Sequence, residues 1–350
     1  MQSNSDFIGN FDCHIHWTML SVHLENGRVE VREVPRPQRP PGFAVIRTIV
    51  AGICNTDLEL QRGYYGFAGT PGHEFVGEVV ECDDESLMGK RVAGEINLAC
   101  GRCEWCRRDL GRHCPNRTVL GIVRHPGVFQ EFFTLPEHNL HVIPEEIASD
   151  EAVFLEPLAA ACEILDQIRV PTGETVAVLG DGKLGLLVAL ALNANGIKVR
   201  LYGRHQDKML IAERAGVDTA AVNAKLPVAA FNFVVEATGT REGLHSAVGM
   251  VRPRGTVVMK STVHGEVAID TAPIIVNEIT LVGSRCGRFE PAMELLRLGS
   301  VKVRPMIAGR FPLSAAPEAF AQAAEKGVLK VLMEGGSALE AGAQRSRLRD

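Results

Sequence analysis

A histidine and a glutamate are adjacent in the chain at His73 and Glu74, between glycines and directly ahead of a strand-like apolar run. Burying such a pair at the mouth of a strand is costly unless a compensating group, such as a metal ion, lies against it. A soft ligand precedes the pair at Cys54, and a carboxylate follows at Glu156. A thiolate, an imidazole and a carboxylate give zinc three protein ligands and leave one tetrahedral position open, which is the pattern of a catalytic zinc.

Residues 98–117 carry a second group of metal ligands, four cysteines with the spacing C-x2-C-x2-C-x7-C. Four thiolates complete a tetrahedron and leave no open position, so this segment predicts a structural zinc site. The four cysteines are Cys100, Cys103, Cys106 and Cys114. Five arginines in the same segment raise the alternative of a zinc ribbon that binds nucleic acid, but a charged, solvated loop is the simpler interpretation.

A glycine-rich loop follows the apolar, strand-like run at 175–179, and helical spacing begins directly after it. The pattern G-x-G-x-x-G between a strand and a helix predicts a dinucleotide site. Its first glycine allows the tight turn, its second lets the pyrophosphate approach the backbone, and its third lets helix and strand pack closely. Free N–H groups at the start of the helix then hold the phosphate. The predicted cofactor residues are Gly180, Gly182, Lys183, Leu184, Gly185 and, at the end of a later strand, Thr238.

The second strand of this unit ends in Gly203, Arg204 and His205, without the acidic residue that usually binds the ribose 2′-hydroxyl of NAD. Gly203 has no side chain to repel a phosphate, and Arg204 has a planar fork of donors that can hold one, with His205 as a further donor. These residues predict that NADP is preferred and that NAD is also accepted. In the alternative interpretation, Arg204 is a solvated surface residue and both cofactors bind alike.

The length of the chain, 350 residues, indicates two domains. Residues 1–156 are predicted to form a β-rich zinc domain, while residues 157–288 alternate strands with helices, which predicts a doubly wound parallel sheet of the α/β class. Residues 289–334 are expected to rejoin the first domain, and residues 335–350 to form a disordered tail. The first three strands are predicted in hairpin order at 18–23, 27–34 and 43–50.

The composition excludes several classes of protein. A net charge of −5 and a pI near 6.1 argue against nucleic acid or an anionic membrane as the main partner. The longest apolar run, 184–192, is about half of the roughly 20 residues that cross a bilayer, and it is typical of a buried helix. The N-terminus, with His14 and His16, does not have the pattern of a secretory signal. Nine cysteines, an odd number, suit a reducing compartment better than a disulfide framework, so we expect a cytoplasmic protein.

Three motifs together resemble those of the zinc-dependent medium-chain alcohol dehydrogenases: Cys-x-Thr-Asp at 54–57, Gly-His-Glu at 72–74 and Glu-Pro-Leu-Ala at 156–159. The resemblance covers about residues 18–333. A glutamate at the third ligand position is more similar to the polyol, sugar and threonine dehydrogenases than to the liver alcohol dehydrogenases, which have cysteine there. The resemblance implies a GroES-like catalytic domain, a Rossmann domain, a homodimer or homotetramer, and hydride transfer between an alcohol and NADP or NAD.

The resemblance also implies roles for residues around the catalytic zinc. By this resemblance, Glu74 is either an exchangeable fourth ligand or a residue beside the ligands. Asp57 is expected to orient a ligand through hydrogen bonds. Thr56 is similar to the hydroxyl that passes the substrate proton toward solvent. Relatives often carry a histidine five residues past the cysteine as an outer relay; this chain has Glu59 there, so either that carboxylate or water relays the proton. The alternatives are a non-catalytic dinucleotide-binding sensor and a zinc-free quinone reductase.

Overall fold

The computed structural model describes residues 18–222, 225–262 and 266–336. The N-terminal residues that include His14 and His16 lie outside this description, as does nearly all of the tail predicted at 335–350. The described chain builds a mixed seven-stranded sheet and a parallel six-stranded sheet, with two smaller sheets beside them.

The first part of the chain consists mostly of short strands, as its β-branched runs predict. Its strands are β1 (Thr18–Glu25), β2 (Arg28–Pro35), β3 (Phe43–Gly52), β4 (Glu74–Glu81), β5 (Arg91–Gly94), β6 (Asn97–Leu98), β7 (Thr118–Leu120), β8 (Arg124–His125), β9 (Phe132–Pro136) and β10 (Leu140–Val142). Its helices are α1 (Asn55–Gln61), α2 (Glu104–Arg107), α3 (Ser149–Ala152) and α4 (Leu155–Gln167). Short 3-10 turns lie at Tyr64–Gly66, Glu85–Leu87, Gly111–His113 and Glu137–Asn139.

The second part of the chain alternates strands and helices. Its strands are β11 (Thr175–Leu179), β12 (Lys198–Gly203), β13 (Asp218–Ala221), β14 (Phe231–Glu236), β15 (Val251–Met259) and β16 (Thr280–Gly283). Its helices are α5 (Lys183–Ala194), α6 (Gln206–Glu213), α7 (Arg241–Met250) and α8 (Ala272–Val276). The last part contains α9 (Phe289–Arg297), β17 (Ile307–Pro312), α10 (Ala316–Ala324) and β18 (Lys330–Glu334), with 3-10 turns at Arg304–Met306 and Leu313–Ala315.

The hairpin order predicted for the first three strands is confirmed for β1 and β2, which pair antiparallel, and is wrong for β3. β3 pairs with β4, β9 and β18 in the mixed sheet. The proline-rich link at 35–41 explains the difference. Prolines fix φ and have no N–H to donate, so this link carries the chain away to a second sheet instead of forming a tight turn.

The six-stranded sheet has the order β13-β12-β11-β14-β15-β16, and all its neighbouring strands run parallel. This confirms the doubly wound α/β prediction. The chain reverses its direction of winding between β11 and β14, and in such sheets a ligand binds outside the carboxyl ends of the strands at that point. The apolar run at 184–192 lies within α5, a buried helix, as predicted.

The mixed sheet has the order β10-β5-β4-β3-β18-β17, with β9 also paired to β3. β18 therefore lies between β3 and β17, so the last described strand completes the sheet that contains β3, β4 and β5. The domain limits predicted at 156 and 288 stay predictions.

One apolar cluster joins the two large sheets. It extends from Val50 and Val76 in the mixed sheet through Leu158 of α4 to Leu187 of α5 and Val178 of β11, all of them buried. Protein cores are packed as densely as organic crystals. This shared core therefore holds the loops that follow β3 and β11 in a fixed relation to each other.

Candidate active site

Cys54 lies where β3 ends and α1 begins, at the N-cap position of that helix. Its backbone N–H donates a hydrogen bond to Asp57 Oδ2 at 2.8 Å. The other carboxylate oxygen, Asp57 Oδ1, accepts from Gly72 N at 3.1 Å. Because the fully buried Asp57 carboxylate binds both loops, it fixes Cys54 relative to His73.

Two glycines give these loops the room they need. A Cβ at Gly52 would lie 2.8 Å from Glu74 Oε2, and a Cβ at Gly72 would lie 2.6 Å from the ring of Phe129. Gly72 also has a φ of 99°, a conformation that residues with a side chain rarely adopt. The close approach of strand end and loop therefore depends on glycine at both positions.

We call three residues the metal group: Cys54, His73 and Glu74. Their sulfur, ring nitrogen and carboxylate oxygen all lie within 4.8 Å of one another. His73 Nδ1 is 3.4 Å from Asp57 Oδ1, but the direction is poor, and among the described residues this nitrogen has no hydrogen-bond partner. This nitrogen lies beside a carboxylate, as the second ring nitrogen of a metal-bound histidine commonly does. Zinc binds sulfur, nitrogen and oxygen ligands, so the group fits a zinc ion.

The electrostatics of the group also favour a cation. Burial works against a charged imidazole, yet the negative charges of Asp57 and Cys54 raise the pKa of His73 well above its ordinary value. The surroundings of His73 therefore stabilise positive charge, which a metal ion supplies when the histidine is neutral.

Glu156, predicted as the third ligand, lies outside this group of three. It occupies the first turn of α4. Burial raises the pKa of Glu156, the positive charge of His73 partly opposes that effect, and the carboxylate of Glu74 adds to it. Glu156 is thus close enough to interact with His73 and Glu74, while Glu74 is the carboxylate that the structure places beside Cys54 and His73.

Lys330 is a residue of this site that the sequence analysis missed. It is the first residue of β18, is 1% exposed, and forms an ion pair with Glu74 Oε2. Its Nζ also lies 5.5 Å from the ring centre of Phe154. Burial opposes the charge, but the carboxylate of Glu74 raises the pKa of Lys330 above its ordinary value. The only sequence signal was one lysine at the head of an apolar strand.

Thr56 and Glu59, predicted for proton transfer, both lie on α1. Thr56 Oγ1 accepts from Cys54 Sγ at 3.8 Å, so its hydroxyl is next to the metal group. Glu59 forms an ion pair with Arg62 at 2.6 Å, and its side chain is 27% exposed. Thr56 is therefore placed to exchange a proton near the metal, while Glu59 lies farther out on the helix.

The four predicted structural ligands come together. The sulfur atoms of Cys100, Cys103, Cys106 and Cys114 lie within 4.8 Å of one another, with Cys103 Sγ at 3.4 Å from Cys106 Sγ and 3.7 Å from Cys114 Sγ. Four sulfurs bound to one zinc ion at about 2.3 Å are about 3.8 Å apart. Backbone N–H groups lower the pKa of Cys100 to about 6, which favours the thiolate that binds metal.

Most of the arginines of residues 98–117, the cysteine lobe, contact carboxylate or carbonyl oxygens of this protein. Arg112 lies 3.3 Å from Glu95 and 3.5 Å from Glu163. Arg107 donates to the carbonyl of Arg102, and Arg117 to the carbonyl of Cys114. These contacts favour the charged, solvated loop over a surface that binds nucleic acid.

The glycine loop has the geometry expected for a dinucleotide. A Cβ at Gly180 would lie 2.5 Å from Ala237 O, and one at Gly185 would lie 2.0 Å from Gly180 O, so both positions exclude a side chain. A Cβ at Gly182 would meet nothing within 4 Å, which leaves open space where a pyrophosphate approaches. Gly182 caps α5 without a side-chain hydrogen bond, so the first N–H groups of the helix are available to phosphate.

Lys183 connects this loop to the metal group. Its Nζ donates to Ile53 O at 3.3 Å, one residue before Cys54. Burial, and then the positive charge of Lys330, lower the pKa of Lys183 to about 8. Leu184, the next cofactor residue predicted, is partly buried in the first turn of α5.

The remaining predicted cofactor residues lie at the carboxyl ends of β12 and β14. Arg204 is exposed and His205 is half-buried, and the structure places Asp181 of the glycine loop against both. Thr238, just after β14, donates through its N–H and its hydroxyl to Glu236 Oε1 at 2.7 and 2.6 Å. These strand ends border the crevice in which the fold binds ligands.

None of the helices in the described part of the chain is long and apolar enough to cross a membrane.

Comparison with known proteins places the chain in a family. Residues 40–145 match the alcohol dehydrogenase GroES-like domain, and residues 184–299 match the zinc-binding dehydrogenase domain. An L-threonine 3-dehydrogenase of Streptomyces avermitilis is 31% identical over 86% of this chain and 94% of its own length. A D-altritol 5-dehydrogenase of Agrobacterium fabrum is 29% identical over 83% of this chain and 91% of its own length.

A solved structure gives the same result. A zinc-binding dehydrogenase of Sinorhizobium meliloti, described as bound to NADP, has a TM-score of 0.83 and 29% identity over 91% of this chain and 99% of its own. Because these relatives are enzymes, the comparison does not favour the alternative of a non-catalytic dinucleotide sensor. The chain belongs to the zinc-dependent medium-chain dehydrogenases and is an alcohol oxidoreductase of that family.

Proposed function

We propose that the enzyme interconverts a secondary alcohol, polyol or sugar-like alcohol and the matching carbonyl compound, and that it prefers NADP to NAD. The observation that carries this proposal is the hydrogen bond from Lys183 to Ile53, which sets the dinucleotide loop one residue from Cys54. Hydride transfer needs the nicotinamide C4 and the substrate carbon about 3–3.5 Å apart. The nicotinamide is one ribose away from the pyrophosphate, so a pyrophosphate loop close to Cys54 lets the nicotinamide reach a substrate at the metal group.

Each residue of the site has a proposed role. Cys54, His73 and Glu74 hold the catalytic zinc, and Glu156 is a second carboxylate that exchanges with Glu74. When bound, zinc polarises the substrate oxygen as a Lewis acid, and the nicotinamide accepts or gives the hydride. Thr56 takes the proton from the substrate hydroxyl and passes it outward, and Glu59 or water completes the path to solvent.

The relatives support the polyol class as substrate. They include an erythritol/L-threitol dehydrogenase of Mycolicibacterium smegmatis and a sorbitol dehydrogenase of Halalkalibacterium halodurans, each 27% identical to this chain. The threonine dehydrogenases among the relatives make an amino alcohol the second class to test. Because a site built to bind a substrate hydroxyl discriminates strongly against analogues that lack it, the two classes are separable by kinetics.

The test is a substrate panel of sorbitol, erythritol, threonine and propan-2-ol, run on zinc-loaded enzyme with NAD and with NADP. Turnover is followed through the absorbance of the cofactor. We expect the largest kcat/KM for a polyol and no turnover in His73→Ala. If zinc-loaded protein binds dinucleotide but oxidises no alcohol on an extended panel, the proposed activity is wrong.

Arg204 is proposed to create the preference for NADP. Its exposed guanidinium can bind the 2′-phosphate through two hydrogen bonds. Arg204→Ala should lower kcat/KM for NADP about 10–150-fold, since a charge-assisted pair is worth about 1.5–3 kcal/mol, and should leave the NAD value nearly unchanged. An unchanged NADP value would show that Arg204 does not bind the phosphate.

We propose that the enzyme is a homodimer that joins at the β16 edge of the parallel sheet. β16 has no second neighbour among the described strands, and on α8, which precedes β16 in the chain, Ile275 and Val276 are 72% and 78% exposed. An unpaired strand edge and exposed apolar side chains are each typical of an interface. Light scattering should give a dimer mass for the wild type and a monomer mass for a Val276→Asp variant.

A further inference from the structure

The carboxylate that the end of β12 lacks in sequence is supplied in space by Asp181. A Cβ at Gly203 would lie 2.8 Å from both Cβ and Oδ2 of Asp181. The side-chain volume at position 203 is therefore already filled by an acid from the glycine loop. In this fold, position 203 is where an acidic residue binds the adenosine ribose 2′-hydroxyl.

Asp181 is held firmly in this place. Its Oδ2 accepts hydrogen bonds from Arg204 N at 2.7 Å, His205 N at 2.7 Å and His205 Nδ1 at 3.0 Å. The residue is 7% exposed. Burial opposes its charge, but the N–H groups of His205 and Arg204 more than compensate and lower the pKa of Asp181. The carboxylate is therefore ionised at neutral pH.

The second carboxylate oxygen of Asp181, Oδ1, is not used in this way. Among the described residues, none donates a hydrogen bond to Asp181 Oδ1, so this oxygen has the capacity to accept one. An ionised carboxylate accepts hydrogen bonds and donates none. It suits the 2′-hydroxyl of NAD and repels the 2′-phosphate of NADP, while the neighbouring guanidinium of Arg204 attracts that phosphate.

We propose that Asp181 is a selectivity residue of the cofactor site: it binds the ribose 2′-hydroxyl from the glycine loop and limits the preference for NADP that Arg204 creates. The inference rests on the proposed use of both cofactors. Asp181 also shapes the loop after β12, so the experiment has to separate its charge from its hydrogen bonds.

The experiment measures dissociation constants of NAD+ and NADP+ by calorimetry, without substrate, for wild type, Asp181→Asn and Asp181→Ala. Asparagine keeps an oxygen for the N–H groups of Arg204 and His205 and puts a neutral N–H donor in the place of the second oxygen. We expect Asp181→Asn to tighten NADP+ about tenfold relative to NAD+, because it removes a charge close to a phosphate of nearly two charges.

Matched variants show whether the effect is local. Asp207, exposed in the first turn of α6, is the control acid: Asp207→Asn makes the same change in net charge and should alter the NADP+ to NAD+ ratio less than about twofold. Asp181→Ala should weaken NAD+ and disturb the loop, which thermal unfolding detects. If Asp181→Asn changes both cofactors equally, or weakens NADP+ more, the proposal is overturned. Binding is read without turnover, so failure of the proposed alcohol oxidation leaves this result interpretable.

Discussion

Lys330 Nζ and Glu74 Oε2 form a buried ion pair that joins the first residue of β18 to the first residue of β4, across 256 residues of sequence. Both side chains are 1% exposed. Glu74 is also one of the three grouped metal ligands, so its charge is compensated on one side by Lys330 and, when zinc is bound, on the other side by the metal. The metal group and the last strand are thus coupled through one carboxylate.

Lys330→Met should destabilise the protein, because it leaves the Glu74 carboxylate buried without its partner. Removing one partner of a buried pair costs about 3–5 kcal/mol. The loss, measured by urea unfolding, should be larger in metal-free protein than in zinc-loaded protein, where the ion compensates Glu74. Lys330→Arg is the control and should retain most of the stability; an equal loss with and without zinc would contradict the shared carboxylate.

Zinc analysis should find one ion in each of the two ligand groups, the cysteine lobe and the group around Cys54. Cys103→Ser should lose the lobe ion and unfold at a lower temperature, since structural zinc contributes folding free energy. His73→Ala should lose the other ion and its activity, with a smaller drop in unfolding temperature than Cys103→Ser. Wild-type protein that retains only one ion after zinc loading would show that one group does not bind metal.

Glu74 and Glu156 should behave differently when each is replaced by glutamine. Glu74→Gln weakens a direct ligand, so we expect zinc affinity to fall by at least the roughly 10–100-fold that the loss of an outer-shell partner costs. Glu156→Gln should keep zinc bound, because Cys54, His73 and Glu74 still hold the ion, and should lower kcat, because the carboxylate that exchanges with Glu74 is lost. Competition with a chelator measures the first effect and steady-state kinetics the second. The reverse pattern would show that Glu156 is the third ligand, as the sequence predicts.

Cofactor binding should depend on pH through Lys183. Burial and the charge of Lys330 lower its pKa to about 8, so the free enzyme has a cationic Lys183 below that pH and a neutral one above it. Because the dinucleotide pyrophosphate is an anion, its dissociation constant should rise between about pH 8 and about pH 10. Lys183→Met should bind NAD+ more weakly and without this rise; the same pH profile in the variant would assign the titration to another group.

Two arrangements in the structure agree with the sequence, the cluster of four cysteines and the glycine loop between a strand and a helix, and both are local in the chain. The cysteine spacing from Cys100 to Cys114 and the loop from Gly180 to Gly185 each lie within one short segment, so residue order alone determines what lies together. The parallel sheet was also predictable, because alternating strands and helices permit few arrangements.

The features that the sequence did not predict depend on contacts between distant segments. Nothing in the residues near Lys330 indicates that it meets Glu74, and the acid that fills the space at Gly203 comes from a loop 22 residues earlier, at Asp181. The pairing of β3 with β18 is of the same kind. Strand pairs far apart in sequence are selected by the packing of the whole sheet, which local propensity does not encode.

The insertion of β18 between β3 and β17 has a consequence for the growing polypeptide. Domains usually fold in the order in which the ribosome delivers them, N-terminal first. Here the mixed sheet lacks its inner strand, and Glu74 lacks Lys330, until residue 334 has been synthesised. The parallel sheet, whose strands all lie between residues 175 and 283, is complete well before that. The part of the nascent chain made second can therefore fold first, and it then holds the unfinished metal-binding part until the last strand arrives.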